Sequence, residues 1–201
     1  MRCRWWAMRT GRYAERPFGR LFDRASNPLP NALSANPVSQ TPAAPDPATP
    51  SPELLHWEDF PAGQVREFGS MPVAREAVLA FAAQFDPQPF HLDDEAAAAS
   101  LFGGLSASGW HTCAMAMRMM CDGYLLNAAS LGSPGIDELK WLKPVRPGDT
   151  LRVRFTVLDA RPMASRPGVG LVRSSWEVFN QHREAVLTMQ GWGMFRRRHA
   201  G

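Results

Sequence analysis

The sequence predicts an α+β domain in which an antiparallel sheet curls around one long, apolar helix. Three observations carry this. After about residue 54, apolar residues first recur at three- and four-residue spacing and later alternate at a spacing of two. The two regimes do not interleave, so helices come first and consecutive strands follow, the order of an α+β chain rather than of a parallel α/β sheet. Finally, the segment from Ser108 to about Ala129 is apolar on both sides, with only Arg118 and Asp122 charged. A helix of that kind needs a sheet or a partner wrapped around it.

Taken in order, Gln64–Ser70 reads as a short strand. Val73–Phe85 reads as a helix, with Val78, Phe81, Ala82 and Phe85 on one stripe. Asp86-Pro87-Gln88-Pro89 stops it, because proline lacks an N–H and pushes its predecessor toward extended geometry. Asp93–Ser100 is a further helical turn, and Phe102-Gly103-Gly104 a flexible elbow. The long helix follows, with Trp110, Ala114, Met117, Cys121, Tyr124 and Leu125 at helical spacing. Leu151, Val153, Phe155 and Val157 then alternate with Arg152, Arg154 and Thr156, a strand with one buried face. Segments 136–143, 170–180 and 184–196 also read as strands. Pro147-Gly148-Asp149, Pro167-Gly168 and 180–183 supply the turns.

The chain divides into a head and linker over 1–53 and a folded domain over 54–201. Eight prolines lie between residues 25 and 52, among Ala, Ser, Thr and Asn. Such a segment cannot bury enough apolar surface to offset its ordering entropy, so a disordered linker is expected. The 24 residues before it carry seven arginines against Glu15 and Asp23. They could form a targeting or membrane-surface segment, or have no structural role. They hold +5 of the net charge of +3, which leaves the rest of the chain at −2. A near-neutral domain offers nothing to a nucleic-acid backbone. No apolar run reaches the roughly 18 residues that span a bilayer, and the arginine-rich start lacks the apolar stretch of a signal peptide. Three cysteines are too few for a disulfide framework. Cys113 and Cys121 are eight residues apart on one helix, about 12 Å along its axis, and cannot bridge. A reducing, cytoplasmic location is the expectation.

Two constellations could carry chemistry. The first is Phe85-Asp86-Pro87-Gln88-Pro89-Phe90-His91. A turn after a helix can aim a carboxylate and an imidazole five residues apart at one point, and proline stiffens it, as acid–base groups require. Gln88 and Pro89 would brace the pair, and Phe85 and Phe90 would keep it dry. On spacing alone, Asp86 could equally cap the turn and His91 satisfy a backbone carbonyl. The second runs from Phe102 to His111. Ser108 suits a helix N-cap, and Gly109 lets a ligand approach the backbone. The unpaired first N–H groups of the helix would favour a carbonyl oxygen gaining charge. The plain alternative is a cap and a turn.

Asp86-Pro87-Gln88-Pro89-Phe90-His91, then Leu92-Asp93-Asp94-Glu95-Ala96, Phe102-Gly103-Gly104 and Ser108-Gly109 resemble the MaoC-like group of (R)-specific enoyl-CoA hydratases and acyl dehydratases. The resemblance continues through Leu142-Lys143-Pro144-Val145-Arg146-Pro147-Gly148-Asp149-Thr150 and covers roughly 64–196. It implies a hotdog fold and a role in fatty acid metabolism. It implies that Asp86 and His91 hold a water for attack on C3 of a 2,3-unsaturated acyl thioester, on CoA or an acyl carrier protein, and return a proton to C2. Ser108, Gly109 and Gly104 would bind the thioester, with the Gly109 N–H on the enolate oxygen. It also implies a homodimer, and no cofactor. Gln88 stands where the group usually has Asn, and Ser108 where it frequently has His. A thioesterase using Asp86, and a non-catalytic acyl-thioester binding protein, stay open beside the hydratase.

The remaining histidines read as structural: His111 as a packing or capping residue, and His56, His182 and His199 in linker, turn and tail. No Cys/His grouping has zinc spacing, so no metal is expected. Lys140 and Lys143 could meet CoA phosphates or simply solvate a strand. Trp110, Met117, Trp141 and Trp176 are candidate pocket walls.

Overall fold

The computed structural model describes residues 53–199. The expectations for the head and linker lie outside these residues, apart from Glu53. The elements are β1 (Val65–Pro72), α1 (Arg75–Phe85), α2 (Pro89–Leu92), α3 (Asp94–Ala99), α4 (Gly109–Gly123), β2 (Ser130–Trp141), β3 (Thr150–Pro162), β4 (Val169–Phe179) and β5 (Ala185–Arg196). The strands form one sheet in the order β1-β3-β4-β5-β2, with every neighbouring pair antiparallel. The sheet curls around α4, which packs against β1 and β3. This is the hotdog arrangement.

Alternation along the strands builds the core. Leu151, Val153, Phe155 and Val157 of β3 all point inward and are buried. Val153 faces Val178 and Phe155 faces Trp176 across the β3–β4 ladder, so one inward row meets another. Phe60, just before β1, closes one end of the core. It lies against Tyr124, Phe155 and Phe195 at ring-centroid distances of 5.9, 6.3 and 4.5 Å.

Tyr124 is the polar member of this cluster. Its hydroxyl accepts a hydrogen bond from Trp176 Nε1 at 3.2 Å, and burial pushes its phenol well above the ordinary range. Tyr124→Phe would leave the buried indole N–H without its acceptor. Such a loss costs about 1–3 kcal/mol. Urea unfolding should show that decrease, with the denaturant slope unchanged.

The long helix ends earlier than its apolar pattern suggests. It stops at Gly123, and a 3₁₀ turn at Leu125–Asn127 follows. A Cβ on Gly123 would lie 2.6 Å from the Phe68 ring, so β1 crosses tightly over the helix end. Beyond it, the Leu55 amide donates to Asn127 O at 2.8 Å and the Ala129 amide to Leu55 O at 2.7 Å. These bonds pull residues 127–129 out of the helix and into an extended path. For the same reason β2 begins at Ser130 rather than 136.

At the other end of the sheet, β2 is an edge strand with an exposed surface. Ile136 and Trp141 on it, with Trp110 and Met117 on α4, leave large apolar side chains about half exposed. No helix among the described residues is long and apolar enough to cross a membrane.

Candidate active site

Asp86 and His91 meet because one helix ends where another begins. Asp86 caps the C-terminus of α1, its amide donating to Ala82 O at 2.9 Å. Gln88 then caps α2, and Pro89 takes its first position, where a missing N–H costs nothing. The expected stiff turn is thus a helix end joined to a single helical turn. It carries His91 back beside Asp86, with His91 Nε2 3.6 Å from Asp86 Oδ2.

Both carboxylate oxygens are held. Gln88 Nε2 donates to Oδ1 and Ser108 Oγ donates to Oδ2, each at 2.7 Å. Ser108 is fully buried as the N-cap of α4, and its Oγ also accepts from the Trp110 amide at 3.2 Å. These bonds, first from Ser108 and then from Gln88, with His91 adding a weaker attraction, hold the Asp86 carboxyl below the ordinary aspartate range. Ser108 Oγ is thus engaged with both Asp86 and the Trp110 amide.

His91 is buried, and its Nδ1 lies 2.8 Å from Ser106 O. A carbonyl can only accept, so Nδ1 carries a hydrogen and Nε2 is the nitrogen turned toward Asp86. Phe102 covers the imidazole, with ring centroids 5.9 Å apart at 29°.

The pair opens into a cleft of about 340 Å³ whose lining includes Gly109, Trp110, Thr112, Trp141 and Val145. Gly109 is the first residue of α4, so its N–H has no partner within the helix. Trp141 lies flat against it. Trp141 Nε1 donates to Gly109 O at 2.9 Å, and a Cβ on Gly109 would come within 2.6 Å of the indole.

Gly104 is not brought to the cleft. Its amide donates to Ala97 O at 3.0 Å, and its place is against Arg146. Trp110 and Trp141 wall the cleft, as expected. Met117 and Trp176 instead line a separate cavity of about 230 Å³ between α4 and the β2 end of the sheet. Lys143 reaches the cleft but pairs with Glu184 at 2.5 Å, and Lys140 pairs with Glu138. His111 is buried and stacked on Phe81 at 4.6 Å, which agrees with a packing role. Among the described residues no His, Cys, Asp or Glu cluster is placed to hold a metal ion. The sequence did not point to Ser106 O, Thr112 or Val145, because each contributes a main-chain atom or a plain wall. Nothing in the residue type marks it.

The bonds on Asp86 set a pH dependence. A carboxyl whose folded pKa is lowered adds stability above its unfolded pKa, and that contribution is lost as pH falls through the folded value. Ser108→Ala should raise the Asp86 pKa toward the ordinary range. Any activity needing the carboxylate would then lose its acid limb at higher pH than in the wild type, and acid unfolding would begin earlier. A kcat/KM profile and a pH-unfolding curve on both proteins check this.

A hotdog fold with an aspartate–histidine pair at the start of its central helix defines the class. Comparison with known proteins agrees. The MaoC like domain matches residues 59–175, and the chain belongs to this family. The chain is 42% identical to the MaoC-like dehydratase of Rhodospirillum rubrum, whose solved structure superposes with a TM-score of 0.67 over 72% of this chain and 99% of that one. It is 30% identical over 130 residues to the uncharacterized protein YdeM of Bacillus subtilis, covering 65% of this chain and 91% of YdeM. It is 44% identical to the mesaconyl-CoA hydratase of Cereibacter sphaeroides over 64 residues, 32% of this chain and 18% of that protein.

Proposed function

We propose that the protein is a hydro-lyase that reversibly adds water across the 2,3-double bond of an enoyl thioester carried on CoA or an acyl carrier protein. One observation carries this reading most. The His91 Nε2 and an Asp86 carboxylate oxygen face each other at 3.6 Å in a cleft that also holds the first amide of α4. That separation is too long for a good direct hydrogen bond, and it leaves both atoms able to accept from one water.

Asp86 orients the water and His91 Nε2 takes one of its protons as the oxygen bonds to C3. The π electrons of the double bond move onto the thioester oxygen, where the Gly109 N–H and the positive end of α4 meet the new charge. The enolate collapses when C2 takes the proton from the imidazolium, which Asp86 has stabilised meanwhile. The sum is one water added, and the reverse path is dehydration. Likeness to the (R)-specific members supports the (R)-3-hydroxyacyl product.

A homodimer goes with this reading. The exposed edge of β2 and the apolar side chains beside it suit pairing with a second copy. The thiols of Cys113 and Cys121 are free, which suits the cytoplasm. A boundary near residue 53 between the head and linker and the folded domain goes with it as well.

The test follows enoyl absorbance when the full chain meets crotonyl-CoA and longer enoyl-CoAs, with a free-thiol assay in parallel. Loss of absorbance without thiol release, at a turnover on the order of 1–10³ s⁻¹, is the expected result. Thiol release without hydration would make it a thioesterase, and equal acyl-CoA binding by wild type and Asp86→Asn with neither active would make it a binding protein.

A further inference from the structure

Arg146 sits in the loop between β2 and β3 and does not line the cleft. Its guanidinium reaches across to the segment that leads into α4. There Nη2 donates to Phe102 O at 2.5 Å and Nη1 donates to Leu105 O at 3.3 Å. Gly104 lets it pass, since a Cβ there would stand 2.9 Å from Nη1, and φ is +150° at this residue. The base of the arginine is fastened too. Its amide donates to Asp149 Oδ2 at 2.7 Å, and Asp149 Oδ1 accepts from Gln181 Nε2 at 2.9 Å.

What the arginine grips matters for the dyad. Leu105 immediately precedes Ser106, whose carbonyl accepts the hydrogen bond from His91 Nδ1. On the far side, the Ala107 amide donates to Val145 O at 2.8 Å. Phe102, the other gripped residue, carries the ring that covers His91. The Ser106 carbonyl is therefore fixed between two anchors that both belong to residues 145–146. A planar guanidinium can hold two diverging carbonyls at once, which an ammonium on a flexible stem does poorly.

We propose that Arg146 is a positioning residue: by fixing the 102–106 backbone it holds the Ser106 carbonyl that sets the tautomer and orientation of His91, and Gly104 is the gap that admits it. The kinetic part rests on the hydratase reading. The structural part does not.

The test uses the full ¹⁵N-labelled chain. Long-range ¹H–¹⁵N spectra report which imidazole nitrogen is protonated, and the His91 signals are assigned by their loss in His91→Gln. In the wild type His91 carries its proton on Nδ1. Arg146→Met should give a mixture of tautomers, and kcat for enoyl-CoA hydration should fall about 10–100-fold with KM little changed, the scale of a misplaced catalytic group. Arg146→Lys should fall between the two. Gly104→Ala should also give a mixture of tautomers, because its methyl crowds the guanidinium and strains the same backbone. Wild-type His91 spectra in Arg146→Met would overturn the proposal, whether or not the protein melts earlier. If the wild type hydrates no enoyl-CoA, the function reading fails and the spectra still decide the role of Arg146.

Discussion

Asp86→Asn is expected to lower kcat for enoyl-CoA hydration by about 10²–10⁴-fold, the contribution usual for a positioned acid–base group. Asparagine keeps the shape and can still accept from Ser108, so the start of α4 should survive. What disappears is the negative charge 3.6 Å from His91 Nε2. Without it the water loses an acceptor and the imidazolium loses its counter-charge. His91→Gln should cost a similar amount, since no other basic nitrogen faces Asp86 Oδ2 among the described residues. The double variant should be scarcely slower than the worse single one, because the two groups act as a unit. Steady-state kinetics on the four proteins, with melting curves to show that each is folded, measure this directly. Near-equal rates for wild type and Asp86→Asn would remove Asp86 from the reaction.

Gly109→Ala should be nearly as damaging through a different route. The new methyl would come within 2.6 Å of Trp141 Cε2 and 2.7 Å of Nε1, while the indole is bonded to Gly109 O. Either Trp141 leaves or the first turn of α4 shifts. Overpacking of this kind costs about 1–3 kcal/mol of stability. A shifted first turn misplaces the amide assigned to the enolate oxygen, and losing one such donor costs about 10²–10³ in kcat. Trp141→Ala in the same chain makes room for the methyl. It should recover most of the lost stability, and of the activity only what depends on the helix start. Denaturant unfolding and kcat on the two single variants and the double one separate the two effects.

The fold was legible because its periods are clean. The alternation through 151–157 becomes the inward row of β3, and the two-sided apolar segment becomes the helix inside the sheet. The helix end was not legible. Leu125 continues the apolar stripe, and only the crossing of Phe68 over Gly123 and the bonds from Leu55 end it, both contacts distant in sequence.

The site divides in the same way. Asp86, Gln88, Pro89 and His91 lie within one short turn, and their grouping could be read from order and spacing. Ser108 reads as a cap and is one, but its hydroxyl also bonds a carboxylate 22 residues earlier. Arg146 and Trp141 act on main-chain carbonyls 41 and 32 residues away. Partners of that kind leave no pattern in a single sequence. Gly104 shows the converse: a glycine beside the site by sequence whose amide and missing side chain both serve the scaffold.

Whether the dyad adds water is decided by the fate of crotonyl-CoA incubated with the protein in deuterium oxide and followed by NMR. Water added by the dyad predicts a 3-hydroxybutyryl thioester with one deuterium at C2, and no formation with Asp86→Asn on the same timescale. An intact enoyl thioester, or free crotonate with released CoA, would contradict the account.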